Sequence, residues 1–185
     1  MEVLNRSLTN PANRPVKVVQ FGEGNFLRGF VDYMIDIANE QGKFDGSIVL
    51  IKPIEFGNLE NFHKQDCQYT VSLRGRVDGE AKILNRKITS VTDAVDAYTE
   101  YEKYMGLAEI DTLRFVVSNT TEAGIVFDDT DKFEMNPPKT FPGKLTKFLY
   151  HRFEAFKGDV SKGLVMLPVE LIDDNGIMLR KCVLQ

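Results

Sequence analysis

Cysteine and histidine are scarce in this sequence: its 185 residues hold two of each, Cys67 and Cys182, His63 and His151. The cysteines stand far apart without a Cys-x-x-Cys spacing, so they read as reduced thiols of a cytoplasmic protein rather than a disulfide framework. Neither histidine has a second His, Cys or carboxylate at metal-ligand spacing, and no metal site is expected. The acidic stretch Asp128, Asp129, Asp131 and Glu134 lacks the turn glycine and terminal glutamate of a calcium loop, which leaves a solvated loop. Long apolar runs are missing too. The longest, at 47–51 and 163–167, fall far short of the ~20 residues that a membrane helix needs, so no membrane contact is expected. Positive charge is not in excess: 23 Lys+Arg against 27 Asp+Glu give a formal charge of -4. Without a basic stripe, nucleic acid is not an expected partner.

What is present is an ordinary globular balance, 43% hydrophobic and 27% charged. A chain of this size buries roughly 70% of its unfolded surface and needs no staples. Residues 1–15 are polar, lack the apolar stretch of a secretory signal, and read as an extension ahead of a folded region spanning 16–185.

Residues 16–21 form an apolar, β-branched run ending at Gly22. Phe26, Phe30, Met34 and Ile37 then recur at helical spacing, which predicts a helix with those side chains on its core-facing stripe and Asp32, Asp36 and Asn39 on other faces. Residues 47–51 read as a strand covered on both faces. From Tyr69 to Val77 the pattern alternates strictly, and Asp78-Gly79 predicts a tight hairpin whose return strand carries Ala81, Ile83 and Ile88. Thr92 or Asp93 is expected to cap a helix reaching Met105. A strand at 113–117, a helix carrying Leu145, Phe148, Leu149, Phe153 and Phe156, a strand at 164–167 and a helix over 177–184 complete the order.

Strands alternating with helices predict an α/β, Rossmann-like, doubly wound and mostly parallel sheet with an inserted antiparallel β-hairpin. Ligands of such sheets bind outside the carboxyl ends of the strands. That rule selects the loops at 22–26, 52–55, 118–122 and 170–176. Gly22-Glu23-Gly24 supplies the first two glycines of the dinucleotide fingerprint, between a strand and a helix; Leu27 replaces the third. Arg28 is placed to reach a phosphate oxygen. At the end of the second strand either Glu55 binds the adenosine ribose, giving an NAD preference, or Lys52 tolerates a 2′-phosphate, leaving NADP open. The same glycine turn also suits an S-adenosylmethionine-binding domain, a non-catalytic interaction module using the hairpin edge, or a plain structural connection.

The stretches Gly22-Glu23-Gly24-Asn25-Phe26-Leu27-Arg28, Lys52-Pro53-Ile54-Glu55, residues 118–124 and residues 170–176 together resemble the N-terminal half of the mannitol dehydrogenase family, most closely its uronate branch. The resemblance implies a metal-independent, NAD-linked oxidoreductase interconverting D-tagaturonate and D-altronate in cytoplasmic hexuronate breakdown, with other hexuronate or polyol substrates as alternatives. It places Gly22, Gly24, Asn25 and Phe26 along the cofactor pyrophosphate and Asn119, Thr121 and Glu122 near the nicotinamide half. In the polyol branch the last strand ends in Cys-Asp-Asn; the matching triplet here is Val169-Glu170-Leu171, which argues against a mannitol enzyme proper. The family's general base belongs to a Lys-x4-Asn-x2-His motif in a second, helical domain. This sequence has no such pattern, so no catalytic residue is expected within it.

Overall fold

A computed structural model of the protein describes residues 3–121 and 124–185. Five strands, β1 (Val16–Phe21), β2 (Ser47–Lys52), β5 (Val91–Asp96), β6 (Phe115–Ser118) and β7 (Val165–Pro168), form one sheet in the order β5-β2-β1-β6-β7. Every pairing in it is parallel. Strands β3 (Tyr69–Val77) and β4 (Glu80–Ile88) make a separate antiparallel ribbon. The helices are α1 (Arg6–Thr9), α2 (Asn25–Leu27), α3 (Tyr33–Glu40), α4 (Glu60–His63), α5 (Tyr101–Gly106), α6 (Phe141–Ala155) and α7 (Asn175–Leu184). No helix among the described residues is long and apolar enough to cross a membrane. The expected fold class is therefore the observed one.

The central strands β1 and β2 are buried on both faces because they are apolar at consecutive positions, whereas β7 leaves Val165 and Leu167 44% and 42% exposed. Val19, Phe21, Val49, Ile51 and Val95 pack against Tyr104, Leu145, Phe148 and Leu179 from α5, α6 and α7. Phe21 is the hub of this layer, with ring centroids 6.1 Å from Tyr104, 5.3 Å from Phe141 and 6.1 Å from Phe148. Across the sheet, Val18, Ile48, Leu50 and Val117 meet Leu27, Cys67, Tyr69 and Ile88.

Two sequence-based expectations fail here. Residues 91–96 form a strand rather than the start of a helix, because Val91, Ala94 and Val95 pair with β2 and are buried there. Asp96 then ends the strand by accepting the Tyr98 N–H at 2.9 Å, and the helix begins only at Tyr101. The second failure concerns the segment from α2 to α3, a continuous helix with a π-helical turn at Arg28–Asp32. Its core-facing side is not the aromatic stripe: Phe26, Phe30 and Met34 are 54%, 40% and 54% exposed, whereas Asp32, Asp36 and Asn39 are buried.

Polar contacts explain the reversal. The Asp36 carboxylate accepts bonds from Arg86 Nε at 2.8 Å, Thr89 N at 2.9 Å and Ser90 N at 3.1 Å. Asn39 exchanges two bonds with Gly46, at 2.9 and 3.2 Å. Asp32 accepts the Tyr69 hydroxyl. Buried polar groups are stable when partnered, and here the partners of Asp32 and Asp36 lie on the hairpin and its exit, far along the chain, while that of Asn39 lies in the turn before β2. The acidic loop also departs from a purely solvated one: Asp131 accepts Lys139 N at 2.6 Å and Thr140 N at 2.8 Å, fixing the residue that caps α6. The hairpin turn is as expected, with Asp78 and Gly79 at φ 54 and 82, although its outer half is exposed on both faces.

If Asp36 clamps the helix, Asp36→Ala leaves two backbone N–H groups without their acceptor and Arg86 with only Glu40, and costs roughly 2–5 kcal/mol in urea unfolding. Met34→Ser is expected to change stability by under about 0.5 kcal/mol, as a surface substitution does; a larger loss at Met34 than at Asp36 would restore the aromatic-stripe orientation. Asp32 gives a pH signature. Burial raises its carboxyl from 3.8 to about 7, against the lowering effect of the Tyr69 and Gln20 contacts. A raised carboxyl pKa favours folding in the protonated form, so the contribution is complete below about 3.8 and is lost as pH rises to about 7. Asp32→Asn should remove that decline, widening the unfolding free-energy difference from wild type over this interval toward a ceiling of about 4 kcal/mol. A pH-independent difference would show that Asp32 is ionised throughout.

Candidate functional site

The chain runs from β1 leftward to β2 and β5 and then returns to β6 on the other side of β1. A crevice opens at such a reversal, beyond the carboxyl ends of the two diverging strands. Register places those ends level: Phe21 pairs with Ile51 and Ser118, Lys52 with Asp96, and Ser118 with Pro168. All four loops selected from the sequence thus leave the sheet along one rim.

Gly22 begins the β1 turn at φ +120, a conformation that L side chains rarely adopt, and its amide donates to Ile51 O at 2.9 Å. A Cβ there would lie 3.4 Å from Leu27 and 3.8 Å from the Asn119 carbonyl, so the turn packs directly on the β6 loop. Gly24 differs. It has ordinary dihedrals, precedes α2 without any side chain capping the helix start, and a Cβ on it would meet nothing within 4 Å. Open space above an uncapped helix N-terminus suits an anionic group such as a pyrophosphate. Asn25 and Phe26 are exposed beside it. Between the glycines, Glu23 is partly buried; burial raises its carboxyl, while its own N–H and the charges of Lys52 and Arg28 lower it.

Arg28 is one turn further on. Its guanidinium bonds Asn25 Oδ1 and lies 5.5 Å from the ring centres of both Phe62 and Tyr69, so it braces the turn from the hairpin side. On the β2 loop Glu55 is exposed. Lys52 is only 1% exposed, and its ammonium is engaged by Asp96 at 2.9 Å and by the Ile54 carbonyl at 2.5 Å. Burial opposes the charge on Asp96, yet the bonds from Lys52, Tyr98 and Thr99 hold its carboxyl below the usual range.

On the far side, Asn119 is half-buried and donates to Val169 O at 2.9 Å, whereas Thr121 is exposed. Glu122 lies outside the described residues. Two residues to which the sequence reading gave no role organise this side. Glu170, buried, accepts Thr120 N at 3.4 Å, and Asn175 Nδ2 donates to Pro168 O at 3.0 Å and Glu170 O at 3.1 Å. Together they clasp the loops after β6 and β7. A carboxylate directly after an apolar strand, five residues before an asparagine, was the available signal. Leu171, by contrast, is 87% exposed.

The family model of the mannitol dehydrogenase Rossmann domain matches residues 16–185. Altronate oxidoreductase of Bacillus subtilis is 48% identical over 185 residues, all of this chain and 38% of that protein. Altronate oxidoreductases of Phocaeicola vulgatus and Yersinia enterocolitica are 44% and 45% identical over the whole chain, which covers 39% and 38% of them. The chain therefore spans well under half the length of these relatives. Among solved structures, mannitol 2-dehydrogenase of Pseudomonas fluorescens, in a complex with NAD and D-mannitol, superposes with a TM-score of 0.79 at 21% identity, over 100% of this chain and 42% of that one. A D-sorbitol dehydrogenase gives 0.75 at 22% identity, covering 99% and 42%. By sequence and by fold, the chain belongs to the mannitol dehydrogenase family, whose Rossmann domain it forms.

Proposed function

We propose that this chain is the cofactor-binding domain of an NAD-dependent altronate oxidoreductase, also called tagaturonate reductase, which interconverts D-altronate and D-tagaturonate. The observation that carries the reading is the open cradle at Gly24, set on an uncapped helix start at the point where the sheet reverses direction. Relatives named for this activity at 44–48% identity support the substrate over mannitol, as does the exposed Leu171 in place of a polar strand end.

In this reading the backbone N–H groups of residues 24–26 hold the pyrophosphate, with Arg28 bracing the turn. Glu55 takes the adenosine ribose, and Asn119, Thr121 and Glu122 flank the nicotinamide end. The bound dinucleotide supplies the hydride acceptor or donor. Lys52 supports NAD over NADP by its engagement with Asp96, which keeps its charge from a 2′-phosphate. Proton exchange with the substrate oxygen requires an acid–base group within hydrogen-bond reach, and we assign it to the further length that the relatives possess. The apolar groove of about 430 Å³ between α3 and β7, lined by Val31, Met34, Phe115 and Leu167, supports contact with such a further region, since parallel strands are ordinarily covered on both faces. A cytoplasmic location follows from the same metabolic assignment.

Thermal unfolding in the presence of nucleotides tests the reading. NADH at about a hundred times its Kd should raise Tm by roughly 5–10 °C, with NADPH weaker and S-adenosylmethionine without effect. Gly24→Val is the decisive variant, because its side chain enters open space: the free protein should lose no more than the few degrees a poorer N-cap costs, while the NADH shift disappears. A shift retained in that variant would remove the cradle from the site, and a preference for NADPH would reinstate Lys52. Glu55→Ala should narrow the preference between the two nucleotides. The 185-residue chain with NAD and D-altronate is expected to form no NADH above background; turnover would place the acid–base group within it.

A further inference from the structure

The fold brings three metal-ligating side chains together outside the four rim loops. His63 closes α4, Cys67 follows it in the turn before the hairpin, and Asp93 sits on the outer strand β5; one donor atom from each lies within 4.8 Å of the other two. The absence of ligand spacing argued from the sequence overlooked that His63 and Cys67 are four residues apart, and the third donor comes only through the tertiary fold.

We propose that His63, Cys67 and Asp93 form a binding site for a borderline-soft divalent cation, zinc in chemical class, with the fourth position open to water. The donor set decides the class. An imidazole nitrogen, a thiolate sulfur and one carboxylate oxygen match zinc, whereas magnesium and calcium take oxygen ligands almost throughout. The geometry is near that of a metal centre. Tetrahedral bonds of 2.0–2.3 Å set donors roughly 3.3–3.8 Å apart, so closure from separations within 4.8 Å needs at most about 1.5 Å of movement, shared between the exposed His63 and the partly exposed Asp93.

The site is anchored. Cys67 is buried, with its amide bonded to Phe62 O at 2.7 Å. Asp93 Oδ1 accepts the Ala94 N–H at 2.8 Å, which orients the carboxylate from outside the ligand shell. Its Oδ2 is paired at 2.9 Å with Lys103, an exposed cation that also has Glu100 at 3.5 Å and can transfer to it when a metal takes its place. A metal here would tie the turn ahead of the hairpin to the edge strand β5. Its role is structural, and it is independent of the nucleotide assignment.

Chain stripped with a chelator and dialysed against cobalt(II) tests the site directly. One equivalent per chain is expected, with the intense visible bands of tetrahedral cobalt, a thiolate charge-transfer band, and displacement of both by zinc; zinc alone should raise Tm by several degrees. His63→Ala changes an exposed residue and should fold normally, yet weaken binding at least as much as the roughly 10–100-fold that loss of an outer partner costs. Cys67→Ser should abolish the charge-transfer band, while Cys182→Ser keeps it. Sub-stoichiometric binding by the wild-type chain, unchanged affinity in His63→Ala, or a band that follows Cys182 would each overturn the proposal.

Discussion

Parallel pairing of β1 on both of its edges is the constraint from which the candidate site follows. Parallel strands cannot be joined by tight turns, so each connection crosses a face of the sheet and each strand ends at the same rim. The first crossovers run to one side of β1 and the later ones to the other, which opens the crevice between the β1 and β6 loops. Gly22 then has no freedom to carry a side chain comfortably: its φ of +120 and the nearness of Leu27 bind the turn to its helix on one side and to Asn119 on the other. The strand core and the cradle are thus one mechanical unit, since Phe21, immediately before the turn, is also the hub of the aromatic layer.

The helix that starts after Gly24 is fixed by hydrogen bonds as well as by the apolar packing of Leu27, Val31 and Ile35. Asp32, Asp36 and Asn39 reach Tyr69, Arg86 with Thr89 and Ser90, and Gly46. Directional contacts of this kind specify rotation about the helix axis more tightly than apolar burial, which is non-directional. The π-helical turn at Arg28–Asp32 has the same consequence, as it alters the phase between Leu27 on one side and the carboxylates on the other. Phe26, Phe30 and Met34 are left facing outward, with the first two rings 5.5 Å apart.

This is also where the sequence ceases to be legible. Local signals carry the rim: a β-branched run before Gly22, small polar residues after β6, Asp78-Gly79 at the hairpin. Each depends on neighbours within a few positions, and each is present in the structure. The orientation of the helix depends largely on the partners of Asp32 and Asp36, 37 to 54 residues away, and an aromatic stripe at helical spacing looks like a core face whether or not the fold buries it. Residues 91–96 fail for a related reason. Thr92 and Asp93 have good capping chemistry, yet the vacant edge of β2 offers Val91, Ala94 and Val95 more burial than a helix start would. The convergence of His63 and Cys67 with Asp93 belongs to the same class, visible only after the turn beyond α4 meets β5.

The buried ionisable groups at the rim are committed to one another: Lys52 to Asp96, and Glu170 to the Thr120 amide and Asn175. A general base must keep a lone pair available to the substrate, so these groups build a platform rather than a proton relay. In the proposed reading, such a platform would position the nucleotide and would leave the choice of alcohol to other surfaces. The chain is 48% identical to part of an altronate oxidoreductase, and it shares its fold with a mannitol 2-dehydrogenase at 21% identity. In the proposed reading, a pyrophosphate cradle built from backbone N–H groups would tolerate extensive replacement of the side chains around it, because such donors are common to every sequence.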